Sequence, residues 1–258
     1  MSRAVELRDR LRRYYTTYYR DTLGIPDWSV LVSLREEEER QERGRLARLR
    51  RLLGEAALRG RLLNVGCGTG GFNVAAEEAG ARVVGVDADA EAVAICALKR
   101  EKSGGAFVRA AAERLPFPDG SFDVVYCFSA IEHVESVEQS VAEMVRVTRR
   151  GGLIYVHTPN AWSWYEGHYK LLWVPFLPAS LGRLYLRARG RPGEYLATLR
   201  RLTPGTMRRA FARAGLRDLR FHADEPPPES GGPLRVPIGL YYRLSGVSPF
   251  IELVARKP

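Results

Sequence analysis

The stretch LLNVGCGTGG, residues 62–71, decides the fold of this chain. An apolar run of strand length enters a glycine-rich turn, and a helical pattern begins directly behind that turn. Glycines allow the positive φ angles and the close backbone approach that such a turn needs. The N-terminus of the following helix presents free N–H groups and a partial positive charge to a ligand. The stretch therefore predicts a strand–turn–helix unit with a ligand site at the turn.

An acidic residue, Asp87, stands twenty-one positions after Gly66 and ends the second predicted strand. Its carboxylate can accept hydrogen bonds from both hydroxyls of a ribose, so the turn and the acid together indicate a nucleoside cofactor. Gly66, Gly68 and Gly71 also satisfy the G-x-G-x-x-G dinucleotide pattern, which leaves a nicotinamide cofactor open at this point. The absence of a Tyr-x-x-x-Lys pair weakens the nicotinamide interpretation.

Short apolar runs alternate with helical patterns between residues 61 and 158. We predict strands at 61–66, 82–87, 106–110, 122–128 and 152–158, with helices over about 71–80 and 90–102. Such alternation predicts an α/β fold whose sheet is doubly wound and mostly parallel, with helices on both faces. Two later strands are expected at 216–223 and 248–258, separated by the loop EPPPESGGP at 225–233. A helix with Thr203 as its N-cap precedes them.

The composition of the chain bears on its location and its partners. No run of about 18 apolar residues occurs, and the charged N-terminus lacks the apolar segment of a secretory signal. Cys67, Cys96 and Cys127 have no metal-ligand spacing, so we predict no metal site and a reducing, cytoplasmic location. Residues 151–220 carry twelve Lys/Arg and three Asp/Glu, nearly all of the net charge of +10. This surplus is typical of a solvated basic face, or of attraction to an anionic acceptor, a membrane or nucleic acid.

Two further segments carry a family resemblance: AERLPFPDGSFDVVYCFSAIEHV at 112–134 and RVTRRGGLIYVHTPN at 146–160. Together with the glycine loop they resemble the class I S-adenosylmethionine-dependent methyltransferases, in particular the bacterial group of ubiquinone-pathway and natural-product enzymes. The resemblance is strong over residues 60–160 and looser beyond them. It implies a Rossmann-like, seven-stranded sheet with an antiparallel C-terminal hairpin. It also implies S-adenosyl-L-methionine as methyl donor and S-adenosyl-L-homocysteine as product.

The resemblance also implies which residues contact the cofactor. The matching positions are Gly66, Cys67, Gly68, Gly70, Asp87, Ala88, Asp89, Ala112, Glu113, Phe128 and Ser129. The glycine loop would line the methionine portion, Asp87 would hold the ribose, and the pair that ends the fourth strand would lie beside the sulfonium. The residues after Asp87 and the pair Ala112-Glu113 would border the adenine. Many relatives carry Asp where this chain has Ala111, so one adenine contact is either missing or supplied elsewhere.

Methyl transfer from a sulfonium is an in-line displacement, so the positioning of donor and acceptor supplies much of the acceleration. An acceptor hydroxyl or acidic carbon also needs a base, and we name His133 and His168 as catalytic candidates. His133 lies where the family's acceptor pocket meets the cofactor, although the pair Glu132-His133 can equally orient the loop without catalysing. His168 ends the aromatic stretch 162–168, which predicts either a pocket wall or a surface loop packed on the N-terminal helix. His157 is expected to be a partly buried, hydrogen-bonded imidazole.

Residues 161–201 depart from the alternating pattern and form a basic, aromatic insertion punctuated by proline. Within this insertion, residues 168–191 mix large apolar side chains with four arginines. Three interpretations stay open for that segment: a lid over a hydrophobic acceptor, a plain packing element, or peripheral contact with a membrane surface.

The chain divides into four segments. The first, residues 1–58, contains helices over 1–20 and about 34–58 that would cover the cofactor and acceptor and could also form the face of a homodimer. The remaining segments are the S-adenosylmethionine-binding core at 59–160, the acceptor lid at 161–201 and the C-terminal part of the same α/β domain at 202–258.

We therefore predict an enzyme that methylates a hydroxyl or carbon of a small-molecule, glycan or lipid-linked acceptor. An RNA methyltransferase is one alternative, suggested by the positive charge alone. The fourth strand ends in Cys127-Phe128-Ser129-Ala130, which differs from the Asn/Asp-Pro-Pro-aromatic motif of base-amine methylases and disfavours nucleic acid. A non-catalytic protein that binds S-adenosylmethionine is the other alternative. The glycines of the loop and Asp87 are intact, which argues against a degenerate cofactor site.

Overall fold

The computed structural model describes residues 2–103, 106–223 and 235–258. Their strands are β1 (Arg61–Val65), β2 (Arg82–Asp87), β3 (Ala106–Arg109), β4 (Phe122–Phe128), β5 (Thr148–Pro159), β6 (Tyr165–Glu166), β7 (Leu171–Leu172), β8 (Leu219–His222) and β9 (Phe250–Arg256). Seven of these strands form one sheet in the order β3-β2-β1-β4-β5-β9-β8, and β6 pairs with β7 in a separate two-stranded ribbon. The loop predicted at 225–233 lies outside the described residues.

The helices lie on both faces of the sheet and over one of its edges. They are α1 (Arg3–Thr16), α2 (Trp28–Glu36), α3 (Glu38–Leu53), α4 (Gly71–Glu78), α5 (Ala90–Ser103), α6 (Val137–Val147), α7 (Ala179–Ala188), α8 (Pro204–Arg213) and α9 (Arg235–Ser245). A π-helical turn at Thr17–Thr22 extends α1, and short 3-10 helices lie at Glu55–Arg59, Ile131–His133 and Tyr195–Thr198. None of the described helices has both the length and the apolar content that a membrane span requires.

The sheet confirms the predicted fold class. Strands β1 to β5 are parallel to one another, and β9 runs antiparallel between β5 and β8. The last two strands are an antiparallel pair rather than a tight hairpin, because α9 lies in the connection between them. The chain crosses from β3 to β4 past β1 and β2, so the strand order reverses between β1 and β4. Open α/β sheets bind ligands at the carboxyl ends of the strands flanking such a reversal.

Strand β5 begins earlier than predicted, at Thr148, because its first residue already pairs with Phe122 of β4. The register then shifts until Leu153 pairs with Val124, so the residues between form a bulge. Gly151 supplies the positive φ of +73° within this bulge. A bulge of this kind bends the strand locally and increases its twist.

The helix predicted over about 34–58 is wrong as a single element. The chain breaks at Glu37, whose φ of −113° and ψ of 32° are not helical. The break has a packing reason, since Val32 of α2 joins the cluster around α1 whereas Leu46 and Leu49 of α3 pack against the sheet. Local helix propensity continues through this region, so tertiary packing decides the break.

Three apolar clusters hold the layers together. One face of the sheet packs against α6 and α8 through Met144 and Phe211. The opposite face packs against α3 and α4 through Leu49 and Phe72. A third cluster joins α1 and α2 to the segment after β6 around Tyr169, which is fully buried. Tyr15 of α1 bonds to Thr69 in the loop behind β1, so α1 lies over the carboxyl end of that strand.

Candidate active site

The glycine loop between β1 and α4 needs its glycines for two different reasons. Gly66, Gly68 and Gly70 all have positive φ, at +73°, +52° and +83°. A Cβ at Gly66 would stand 2.1 Å from the Cβ of Ala130, and one at Gly70 would meet the Sγ of Cys96 at 2.9 Å. A Cβ at Gly68 would meet no protein atom within 4 Å. Gly66 and Gly70 thus permit close packing, whereas Gly68 faces open space.

The carboxylate of Asp87 closes this loop from the end of β2. Its Oδ2 accepts a hydrogen bond from the backbone N–H of Gly68 at 2.7 Å, and its Oδ1 accepts one from Asp89 N–H at 2.9 Å. Burial raises the pKa of Asp87, although these backbone donors act in the opposite direction. Each carboxylate oxygen keeps a lone pair for a further donor. The arrangement fits the vicinal hydroxyls of a ribose.

A cavity of about 220 Å³ surrounds the glycine loop. Five of the predicted cofactor residues line it: Gly66, Cys67, Gly68, Phe128 and Ser129. Gly70 faces Cys96 instead, as the N-cap of α4. The N-terminal helices add side chains that the sequence did not indicate, namely Tyr15, Arg35, Glu38, Glu42 and Arg45.

Glu38 lies at the centre of the part of this cavity that the sequence did not predict. Its carboxylate accepts hydrogen bonds from Thr69 at 2.8 Å and Tyr15 at 3.0 Å, and it forms a buried ion pair with Lys99 of α5. Burial raises the pKa of Glu38, but Lys99 and Thr69 outweigh burial and hold it below its ordinary value. In the sequence Glu38 lies within four consecutive glutamates, a pattern typical of a solvated helix. No local signal distinguishes it from its neighbours.

None of the residues predicted near the adenine lines the glycine-loop cavity, and each of them makes contacts within the fold. Tyr14 donates a hydrogen bond to Asp89 at 3.0 Å, and the carbonyl of Ala88 accepts one from Arg109 at 3.3 Å. Glu113 Oε1 accepts hydrogen bonds from the backbone N–H groups of Glu135 at 2.7 Å and Ser136 at 3.1 Å, just before α6. Ala112 packs against the core. The Glu113 carboxylate therefore organises the loop before α6.

A second and larger cavity of about 660 Å³ adjoins the first. Phe128 and Ser129, at the end of β4, line both cavities, and so do Arg35 and Arg45. Ser129 has a positive φ of +49° and donates its backbone N–H to the carbonyl of His157 at 2.8 Å. This strained turn forms the boundary between the two cavities.

Both catalytic candidates lie on the wall of the larger cavity and contact each other. The rings of His133 and His168 are 5.2 Å apart in an edge-to-face arrangement, and both approach the buried carboxylate of Glu132. Burial and the neighbouring His168 lower the pKa of His133 to about 4, so its imidazole is neutral at pH 7. Burial lowers the pKa of His168, but the hydrogen bond to Glu166 and the charges of Glu166 and Glu132 together outweigh burial, and the net shift is upward.

The predicted aromatic wall is formed only in part. Tyr165 lines the larger cavity, but Trp162 packs against Phe176 and Trp164 packs against Tyr241. His157 is 5% exposed and stacks on Phe128 with 4.2 Å between ring centroids. The tryptophans therefore belong to the packing of the insertion.

Cations dominate the lining of the larger cavity. They are Arg35, Arg45, Arg48, Arg51 and Lys170, and no carboxylate is among the described lining residues. Arg48 pairs with Glu252, and Arg45 pairs with Glu42 and lies over the ring of Phe128. The cavity retains a surplus of positive charge after these pairs are counted, which favours an anionic ligand group.

The fold and the glycine loop agree with a match to known proteins. Residues 63–156 match the family model described as a methyltransferase domain. Together with the sheet, this match supports a class I S-adenosylmethionine-dependent methyltransferase domain over these residues, and such a domain implies S-adenosylmethionine as the ligand of the glycine loop.

Similar proteins include an uncharacterized methyltransferase of Mycobacterium avium, which is 36% identical over 142 residues, 55% of this chain and 56% of that protein. A second, from Mycobacterium leprae, is 40% identical over 93 residues, 36% of this chain and 35% of the relative. The chain thus spans about half or less of the length of these curated relatives.

Solved structures share the fold. A SAM-dependent methyltransferase from Archaeoglobus fulgidus aligns with a TM-score of 0.56 at 20% identity, covering 87% of this chain and 98% of that one. One from Mesorhizobium loti aligns with a TM-score of 0.55 at 22% identity, covering 80% and 95%. At this identity the likeness concerns the fold alone.

Proposed function

We propose that this protein transfers a methyl group from S-adenosylmethionine to a hydroxyl or carbon of a small-molecule, glycan or lipid-linked acceptor that carries an anionic group. One observation carries the proposal: the cationic 660 Å³ cavity meets the glycine-loop cavity at Phe128 and Ser129. A donor in the smaller cavity and an acceptor in the larger one would meet at this boundary.

The donor would be held by the glycine loop at Gly66 to Gly68 and by the carboxylate of Asp87. The bound cofactor would supply an electrophilic methyl group on a sulfonium. Phe128 and Ser129 would orient the reacting centre from the end of β4, because they line both cavities. The N-terminal helices would exclude water from above, since Tyr15 and Glu38 bond to Thr69 of the loop.

The acceptor would lie between the arginines of α3 and the histidine pair. A neutral His133 can accept the hydroxyl proton, and its side chain is 34% exposed on the cavity wall. Guanidinium groups would bind a phosphate or carboxylate of the acceptor in bidentate fashion. Positioning and proton removal would then act together.

A lipid-linked acceptor has additional support on the outer surface. α7 packs Gly182 against Trp173 and exposes Leu181 and Leu184 on its other side. Phe176, at the preceding loop, is 61% exposed. Exposed apolar side chains beside arginines suit the interface of an anionic bilayer. We therefore propose peripheral membrane contact through 168–191.

The proposal is tested by calorimetric titration with S-adenosylmethionine, followed by detection of S-adenosylhomocysteine over paired anionic and neutral acceptors. We expect micromolar binding and turnover that prefers the phosphorylated or carboxylated member of each pair. Arg51→Ala should raise KM for the anionic acceptor with little change in kcat, whereas Arg217→Ala, outside the cavity, should change neither. Failure to bind S-adenosylmethionine would contradict the proposal. Binding without turnover on any acceptor would favour a non-catalytic protein, and turnover on RNA alone would favour the nucleic-acid alternative.

A further inference from the structure

Three polar side chains converge between the acceptor cavity and a smaller cavity beneath α7. They are Glu132, His133 and His168, and one ligand atom of each lies within 4.8 Å of the other two. Glu132 Oε1 is 3.7 Å from Nε2 of His168 and 3.9 Å from Nε2 of His133. These distances are too long for hydrogen bonds, yet both nitrogens face the same oxygen.

The carboxylate of Glu132 is only half satisfied. The residue is 1% exposed, and its Oε2 accepts a hydrogen bond from Thr158 at 2.9 Å. Its Oε1 is buried and has no hydrogen-bond partner among the described residues. A buried carboxylate oxygen without a partner is costly, so a ligand at this position would remove a real penalty.

Both imidazoles have a second contact that orients them toward that oxygen. His168 Nδ1 is 2.9 Å from Glu166 Oε1, and Glu166 Oε2 in turn accepts the backbone N–H of Tyr169 at 2.6 Å. His133 Nδ1 is 3.5 Å from the hydroxyl of Tyr195. At His168 the carboxylate acceptor places the proton of a neutral ring on Nδ1, which leaves the Nε2 lone pair for a ligand. At His133 the tyrosine hydroxyl can accept the Nδ1 proton in the same way. Metal-binding histidines are held in this way by carboxylates and other polar groups.

We infer that Glu132, His133 and His168 bind a divalent transition-metal cation, with Zn²⁺ as the best-suited ion, on the wall of the acceptor cavity. Two imidazoles and a carboxylate are a ligand set that Zn²⁺ accepts, with a further position open to substrate. Tetrahedral ligands at 2.0–2.2 Å from zinc stand about 3.4 Å apart, so the two Glu132–imidazole distances would shorten by about 0.3–0.5 Å. The ligand atoms of the two imidazoles, which lie within 4.8 Å of each other, would also draw together. The site differs from our sequence-based expectation of no metal, which rested on the cysteines.

This inference rests on the proposed function and deepens it. A cation here would bind the acceptor hydroxyl and lower its pKa, which replaces the need for His133 as a base. The acceptor oxygen then forms a bond to the methyl carbon while the carbon–sulfur bond breaks toward sulfur. The hydroxyl proton passes to water in the cavity. The chemistry needs no oxidant and no additional reactant.

The experiment measures metal binding without any turnover. Purified protein is treated with EDTA, desalted and titrated with ZnCl₂ by calorimetry, and retained zinc is counted by mass spectrometry after a second desalting. We expect one zinc per chain, and Co²⁺ in its place should give the visible absorption bands of a low-symmetry nitrogen and oxygen site. His133→Ala and the isosteric Glu132→Gln should each weaken binding by at least tenfold, whereas His222→Ala on β8 should leave it unchanged.

The outcomes separate this site from the proposed function. Circular dichroism and calorimetric binding of S-adenosylmethionine show whether each variant is folded, and we expect the cofactor affinity of His133→Ala to equal that of the unaltered protein. The metal site would be overturned if the unaltered protein bound less than one zinc per chain. It would also be overturned if folded His133→Ala and Glu132→Gln proteins bound zinc as tightly as the unaltered protein. Either result, with cofactor binding and methylation intact, leaves the proposed function standing. Zinc bound without affinity for S-adenosylmethionine would overturn the function and leave the site.

Discussion

Asp87 stabilises the glycine loop and is also the residue that we propose holds the ribose of the cofactor. Its two oxygens accept backbone N–H groups from Gly68 and Asp89, which fixes the glycine loop against the end of β2. A Cβ at Gly68 would meet no atom within 4 Å, so the residue that bonds to Asp87 borders open space. Glycine at 68 and the acid at 87 therefore act as one unit.

Asp87→Ala should lower the affinity for S-adenosylmethionine about 10- to 100-fold, because a hydrogen bond to a charged group contributes about 1.5–3 kcal/mol. Calorimetry measures the change, and Asp218→Ala, an exposed acid before β8, provides the control. Unchanged affinity in a folded Asp87→Ala protein would mean that the ribose is held elsewhere.

The site residues that could be recognised from sequence are those whose backbone angles or spacing the local strand–turn–helix unit restricts. Gly66, Gly68 and Asp87 stand out because a strand–turn–helix unit restricts φ angles and places an acid at a fixed spacing. Glu38 and Arg35 could not be recognised, because they reach the cofactor cavity from a helix whose docking no local pattern records. Their charges resemble those of any solvated helix.

At the level of elements, Asp123 ties three strands together at the amino end of the sheet. Asp123 lies in β4. Its Oδ2 accepts a hydrogen bond from the backbone N–H of Arg61 in β1 at 2.7 Å, and its Oδ1 accepts one from the Nε–H of Arg149 in β5 at 2.5 Å. Gly60 is required beside it, since a Cβ there would stand 2.4 Å from the Asp123 carboxyl carbon. The hydrogen bond from Arg149 is the main reason that the pKa of Asp123 lies below its ordinary value.

Asp123→Asn should therefore reduce stability at pH 7 by up to about 1 kcal/mol, the upper range for a partly exposed pair. A carboxyl with a lowered pKa stabilises the folded state fully above its ordinary pKa of 3.8, and this contribution is lost as the pH falls below that value. Urea unfolding at pH 7 and pH 3 measures the effect. A difference between the two proteins that persists undiminished at pH 3 would contradict this assignment.

Across the whole molecule, the buried pair of Lys99 and Glu38 joins the N-terminal helices to the sheet domain. The two residues are 1% and 3% exposed, and they lie on α5 and α3. Thr69 of the glycine loop bonds to the same carboxylate at 2.8 Å. Stability of the helical cover and order of the cofactor loop are therefore coupled through one charged group.

Lys99→Met should destabilise the protein by about 3–5 kcal/mol, because it leaves Glu38 as an unpaired buried charge. Lys99→Met combined with Glu38→Gln should recover part of that loss. Urea unfolding of both single variants and the double variant measures the coupling. If the losses in unfolding free energy of the two single variants simply added in the double variant, the two charges would not be coupled.

The outer surface of the insertion is also a property of the whole molecule, because a loop and a helix both expose apolar side chains on it. Phe176→Ser and Leu184→Ser, at 61% and 63% exposure, should each reduce flotation with vesicles containing anionic phospholipid several-fold. Val5→Ser alters an apolar side chain that is 46% exposed on α1 and should have no effect. Flotation that is equal in all four proteins would exclude membrane contact through this segment.

The sequence by itself determined the α/β class, the parallel core strands, the glycine loop and its acid, because each depends on periodicity or on backbone angles that only a few residues allow. Only the tertiary structure decided the break at Glu37, the buried network of Glu38 and the convergence of Glu132, His133 and His168. His168 lies thirty-five residues beyond His133 in the chain and reaches it through the packing of the insertion. Contacts of this kind depend on how elements dock, and docking follows from the summed burial of many side chains rather than from any one motif.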